Sequence, residues 1–143
     1  MTNKELTVII TTFQSEDKIE GCLDSIDSNI KAIVVENSSN QKFKNYIERK
    51  YLNVECILTN GNLGYGKANN IGLKKAKTKY CLVLNPDTII EKNAIKNFFS
   101  RAKTIKDFSI IAPLQLKNEF LKKNISDNSL TLQETKHVEG FAM

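Results

Sequence analysis

The triplet Asn85-Pro86-Asp87 follows an apolar run, Tyr80 to Leu84, and carries the sharpest chemistry in the sequence. A carboxylate and an amide carbonyl two residues apart are hard oxygen ligands, suited to Mg²⁺ or Mn²⁺ alongside phosphate oxygens. Pro86 fixes the backbone and stops the run from continuing. Asn, Pro and Asp are also common turn residues, so the triplet taken alone reads as a turn before it reads as a metal site. A second cluster, NGNLGYGKANNIG (Asn60 to Gly72), places Gly64 and Gly66 where backbone could approach an anion. Asn62, Asn69 and Asn70 add side-chain donors and acceptors, and the helix that follows presents free N–H groups. This is not the dinucleotide fingerprint, which opens the first βα turn; here the loop follows a third strand, and Asn69 stands at the third glycine position. A glycine-rich entry to a tightly packed helix is the competing reading. Glu36-Asn37 could accept hydrogen bonds from a base or ribose, and Thr11, Thr12 and Phe13 offer hydroxyls and a stacking ring. His137 is the single histidine and has no visible partner in the sequence. Glu119, Asp127, Glu134 and Glu139 are acids or bases that spacing does not tell apart.

The elements that must position these residues alternate. Leu6 to Phe13 is a short apolar, β-branched run and predicts a buried strand. Ser15 is placed to cap a helix, with Glu16 and Asp17 against its N-terminal dipole. In that helix Ile19, Cys22, Leu23 and Ile26 form one apolar face. A second strand ends at Glu36, and a weaker helix carries Phe43, Ile47 and Tyr51. Val54 to Leu58 is the third strand, followed by the glycine loop and a helix from about Tyr65 with Ala68, Ile71 and Ala76. Tyr80 to Leu84 is the fourth strand; Ile95, Phe98, Phe99 and Ala102 mark a further helix; Phe108 to Leu114 reads as a fifth strand. Strands alternating with helices imply βαβ units, hence an α/β fold with a mainly parallel sheet and helices on both faces. Ligands of such sheets bind beyond the carboxyl ends of the strands, where all of these polar clusters fall. Beyond Pro113 the periodicity degrades.

Bulk properties bound the function. The 143 residues suit a single domain, with a core over about 5–113 and an irregular part at 114–143. No apolar run approaches the roughly 18 residues of a membrane span, and the first residues lack a signal-peptide pattern, which gives a cytoplasmic expectation. Cys22, Cys56 and Cys81 are widely spaced and read as reduced core residues, not as a disulfide framework or zinc site. The net charge of +5 suits an anionic partner, but the lysines are scattered and form no dedicated polyanion patch.

Taken in order, the clusters resemble the GT-A glycosyltransferases of family 2. VIITTFQ (8–14), VVENSS (34–39), NLGYGKANNIG (62–72) and LNPDT (84–88) match that family's V-I-I-P-T-Y-N, V-V-D-N-S-S, N-x-G-x-x-x-A-x-N-x-G and D-x-D motifs in order and spacing. The N-P-D form of the last resembles the rhamnosyltransferase-type branch. The resemblance implies a GT-A, Rossmann-like sheet and inverting transfer of a sugar from a UDP- or dTDP-sugar to a hydroxyl on a glycan or lipid-linked acceptor. Surface polysaccharide or glycan synthesis is the implied setting, in the cytoplasm or peripherally at the inner face of the membrane, with no nucleic acid partner. By the same resemblance Thr11 and Phe13 line the base, and Glu36 holds base or ribose. Asn62, Gly64, Gly66 and Asn69 shape the nucleotide and diphosphate pocket, with Lys67 adding charge. Asp87 binds Mg²⁺ or Mn²⁺, and Asn85 stands at the first acid of D-x-D.

Departures from the family pattern include Thr11 for proline, Gln14 for asparagine and Glu36 for aspartate, the last moving its contact by one methylene. The family carries its catalytic base in a later E-D motif after an acceptor-side segment, whose opening HVEGFAM resembles. The expectation is therefore a donor-binding half, truncated and poorly active, with its catalytic base unassigned. A non-catalytic nucleotide-sugar-binding module is the alternative, distinguished by metal-dependent nucleotide binding without transfer. A basic nucleic-acid binder, the third reading, predicts salt-sensitive binding to long polyanions.

Overall fold

The computed structural model describes residues 5–105 and 107–113. Four strands and four helices alternate: β1 (Leu6–Thr12), α1 (Glu16–Asp24), β2 (Lys31–Glu36), α2 (Gln41–Lys50), β3 (Val54–Leu58), α3 (Tyr65–Lys75), β4 (Tyr80–Leu84) and α4 (Ala94–Thr104). The sheet has the order β3-β2-β1-β4 and every pair in it is parallel. The chain thus steps outward from β1 to β2 to β3, then returns to lay β4 on the other side of β1. The strand order reverses between β1 and β4, and a ligand crevice is expected beyond the carboxyl ends at such a point.

Period-2 alternation sorts the strand residues onto two faces. Val8, Ile10, Ala32, Val34, Cys56, Leu82 and Leu84 pack with Ile19, Cys22 and Leu23 of α1, Phe43 and Ile47 of α2, and Ile95 and Phe99 of α4. The opposite face is smaller: Ile9, Ile33, Val35 and Val83 meet Ala68 of α3. There α3 lies so close to the sheet that a Cβ on Gly72 would stand 2.5 Å from Ile9 Cγ2 and 3.1 Å from Val35 Cγ2. Glycine at that position sets the depth of the helix. The expected arrangement of helices on both faces of a parallel sheet is the one found.

Two local expectations differ. Ser15 occupies the N-cap position of α1, but its hydroxyl donates to the Phe13 carbonyl (3.0 Å) and makes no cap bond. Gln14, at φ 51°, turns the chain there. Asn40 does cap α2, its Oδ1 accepting from Phe43 N at 3.0 Å. The fifth strand is absent over 108–113, and Leu114 lies outside the described residues. Phe108 instead stacks on the Tyr80 ring, with centroids 6.4 Å apart. An extended segment becomes a strand only when an edge takes its backbone hydrogen bonds. Among the described residues, the edge of β4 is paired to β1 alone. Cys22, Cys56 and Cys81 are free; the first two are buried in the core as expected, whereas Cys81 is half-buried at its margin. Burial pushes the first two up to about 12, Asp87 adding to the rise at Cys22.

Candidate active site

A cleft of about 450 Å³ opens beyond the carboxyl ends of the strands, at the point where their order reverses. Thr11 and Phe13 from the end of β1, Ser15 and Lys18 from the start of α1, and Asn37 after β2 form one wall. Asn62, Gly64 and Tyr65 come from the loop and first turn of α3. Asn85, Pro86 and Asp87 follow β4.

The glycine-loop side is held by its own hydrogen bonds. Asn37 is 3% exposed, and its Nδ2 donates to Asn62 Oδ1 at 2.9 Å. Its Oδ1 accepts from Leu63 N (2.9 Å) and from Thr59 Oγ1 (3.2 Å), and its backbone N–H reaches the Thr12 carbonyl at 2.8 Å. Asn62 Oδ1 also accepts from Gly64 N at 2.9 Å. One buried amide therefore ties the end of β2 to the loop after β3. Gly64 has φ 81° and ψ 158°, a region essentially closed to residues with a Cβ, and a Cβ there would meet open space. Backbone geometry, not crowding, demands glycine.

The Asn85-Asp87 side is arranged differently. The Asn85 backbone carbonyl accepts from Cys22 Sγ at 3.6 Å, and its Oδ1 accepts from the Tyr65 hydroxyl at 2.8 Å. Asp87 is exposed at the cleft. Lys18 contributes a cation to the same cleft, and Phe13 is 41% exposed there. Among the described residues no group of three His, Cys, Asp or Glu is placed to hold a metal by itself. The donor set fits a cation shared with phosphate: one exposed carboxylate, the remaining ligands coming from phosphate and water, as Mg²⁺ is ordinarily held.

The cleft thus gathers Thr11, Phe13, Asn62, Gly64, Asn85 and Asp87 from the residues singled out in the sequence. Glu36, Gly66, Lys67 and Asn69 do not line it. Asn69 is buried and accepts from the Thr11 hydroxyl at 2.7 Å, so it holds a cleft residue from behind. Gly66 and Lys67 lie in the exposed first turn of α3. Glu36 is 1% exposed; Oε1 accepts from Ser38 Oγ at 2.5 Å and Oε2 is buried with no partner. Burial raises the Glu36 carboxyl above its ordinary range, the Ser38 hydrogen bond opposes this, and nearby Glu16 adds to it. Sequence reasoning did not single out Ser15, Lys18 or Tyr65 for the cleft. Their signal lay in position alone, each at the amino end of a helix that follows a strand end. Glu119, Asp127, Glu134, His137 and Glu139, with the HVEGFAM segment, lie outside the described residues.

Residues 7–138 match the family described as Glycosyl transferase family 2. The chain belongs to that family. It is 29% identical over 126 residues to the low-salt glycan biosynthesis hexosyltransferase Agl10 of Haloferax volcanii, covering 85% of this chain and 40% of that protein. Among solved structures it resembles Staphylococcus aureus TarS 1–349, with a TM-score of 0.60 and 25% identity, over 70% of this chain and 32% of that one. The same TarS fragment in complex with UDP gives a TM-score of 0.60 at 24% identity. A mannosyltransferase from Pyrobaculum calidifontis, in complex with GDP-Man and Mn²⁺, shares the fold at 19% identity, with a TM-score of 0.58 over 65% of this chain and 30% of that one. The chain therefore spans well under half the length of each of these three. The family's GT-A sheet is the α/β fold described above.

Proposed function

We propose that this chain forms the donor side of an inverting glycosyltransferase, binding a nucleoside-diphosphate sugar in the cleft between β1 and β4. The carrying observation is convergence. Thr11 and Phe13, Asn62 and Gly64, and Asn85 and Asp87 come from three distant parts of the sequence and line one cleft where the strand order reverses. In this reading Phe13 stacks on the base and the Thr11 hydroxyl, fixed by Asn69, lies beside it. The Gly64 backbone and Lys18 face the diphosphate, and Asp87 with Asn85 faces the leaving group. Glu36 contributes to the base end from behind the wall. Gly66 shapes the first turn of α3, and Lys67 adds charge near the phosphates.

The reaction is a single displacement. An acceptor hydroxyl attacks the anomeric carbon, its proton passes to a base, and the nucleoside diphosphate leaves with the bonding electrons. Asp87 would hold Mg²⁺ or Mn²⁺, which when bound would supply positive charge against the departing diphosphate. The N-P-D form of the motif supports a rhamnosyltransferase-like donor, with dTDP-sugars tested beside UDP- and GDP-sugars. A glycan or lipid-linked acceptor at the cytoplasmic face of the membrane fits the relative's role in glycan synthesis.

Calorimetry with UDP, GDP and dTDP, each with and without Mn²⁺, tests the reading. Binding of at least one diphosphate that requires the cation is expected. No binding, or binding indifferent to Mn²⁺, overturns it. The alternative, a nucleotide-sugar-binding module without turnover, is favoured by one feature: Asp87 is the sole carboxylate lining the cleft among the described residues. Transfer of labelled sugar from a bound donor to an acceptor decides between the two.

A further inference from the structure

Asn85 and Tyr65 come from opposite sides of the cleft. Tyr65 opens α3 directly after Gly64, following β3 at one edge of the sheet, and Asn85 follows β4 at the other. Both line the cleft, and the Tyr65 hydroxyl donates to Asn85 Oδ1 at 2.8 Å. This bond spans the point of strand reversal and ties the glycine loop to the triplet that ends in Asp87. It also bears on the chemistry available to Asn85. Its amide has an acceptor end and a donor end, and the phenol occupies the acceptor end. The two N–H donors are then left for the cleft. A phosphate-bearing ligand presents acceptor oxygens, which an N–H group attracts and an amide oxygen repels.

We propose that Tyr65 is a positioning residue of the donor site: it orients the Asn85 amide so that the –NH₂ group donates to the diphosphate, leaving the cation to Asp87. This rests on the glycosyltransferase reading of the cleft. It assigns Asn85 a different task from that of an oxygen ligand, and gives the helix-opening tyrosine a task of its own.

The experiment is a double-mutant cycle on the 143-residue chain, with UDP and GDP as probes and Mn²⁺ titrated at saturating nucleotide. Tyr65→Phe keeps the ring and removes the hydroxyl. It should weaken diphosphate binding about three- to tenfold, the worth of a typical hydrogen bond, without moving the melting temperature. Asn85→Ala should weaken binding by at least as much. Adding Tyr65→Phe to Asn85→Ala should change nothing further, since the hydroxyl then has no amide to orient. The Mn²⁺ concentration for half-maximal binding should stay at the wild-type value in both single variants and rise sharply in Asp87→Ala. Equal losses from Tyr65→Phe in the two backgrounds overturn the proposal, because the tyrosine then acts independently of Asn85. A raised Mn²⁺ requirement in Asn85→Ala overturns it as well, because the amide is then a cation ligand. A wild-type chain that binds neither nucleotide with Mn²⁺ overturns the glycosyltransferase reading itself, an outcome distinct from either of these.

Discussion

The two sides of the cleft are built on opposite plans. On the glycine-loop side the asparagines are spent on the protein's own groups: Asn37 holds Asn62, Leu63 and Thr59, and Asn62 holds Gly64. On the Asn85-Asp87 side the backbone is held by Pro86 and the Cys22 thiol, and the Asp87 carboxylate is exposed. The first side shapes a surface of backbone atoms for a ligand; the second presents a charged group to one. Asn37, whose groups are spent within the first side, should therefore register mainly as stability, and Asp87 on the second mainly as binding.

Asn37→Ala is the strongest way to test that division. It takes the Leu63 N–H away from its acceptor and removes one partner each from Asn62 Oδ1 and Thr59 Oγ1, which keep Gly64 N and the Gly61 carbonyl; a group left unsatisfied costs about 1–3 kcal/mol. A total loss of about 1–3 kcal/mol is expected in urea unfolding. A loss below about 0.5 kcal/mol would mean that the loop does not depend on this amide.

Asp87→Ala should do the reverse. Unfolding should shift by no more than about 0.5 kcal/mol, as for an exposed side chain outside any network. Mn²⁺-dependent UDP binding should fall about 100-fold, the upper end of what neighbours of metal ligands already cost. Affinity equal to wild type would remove Asp87 from the site.

Gly64→Val lies between the two. Valine at φ 81° is strained by about 1–3 kcal/mol although open space surrounds it. Thermal melting and calorimetry below the melting point separate the components. The expected result is weakened nucleotide binding together with the lower melting temperature. Normal binding by the folded fraction would show a purely structural glycine.

Glu36→Gln should have the smallest effect, and a pH-dependent one. Burial raises the folded carboxyl above its ordinary value of 4.5, so the folded state holds the proton more tightly than the unfolded chain. Its contribution is fully present below that value and is lost as pH rises towards the folded pKa. Glutamine should therefore raise the melting temperature at neutral pH while matching wild type near pH 4. A wild-type-like pH profile in the variant would place the carboxyl in a solvated setting.

Much of this organisation was legible in the sequence, and the reasons differ by region. The β-branched runs of β1 and β2 are buried on both faces, so composition alone marks them as strands of a parallel sheet. Gly64 and Gly66 look equivalent as letters; only the backbone angle at Gly64 separates them. Glu36 and Asn37 are adjacent, and which one faces the cleft depends on how the chain bends beyond the last paired residue of β2. Period-2 patterning does not extend past a strand end. Lys18 was hidden among 21 basic residues, since nothing local distinguishes a lysine on the first turn of a helix from a solvated one. The run from Phe108 has strand-like composition but no paired edge among the described residues. Pairing is a property of a neighbour, not of the run itself.

The close seat of α3 on the sheet makes the helix a lever. At Gly72 there is no gap to absorb even a methyl group, so alanine must lift the rod by about 1 Å to restore ordinary contact. Tyr65 stands about 10 Å along the same rod, at 1.5 Å per residue. A lesion beneath the floor of the domain would thus surface at its mouth, as a shifted loop and a broken Tyr65–Asn85 bond. In a survey of natural variants, Gly72→Ala should sort with the binding-defective alleles, although no ligand comes near it.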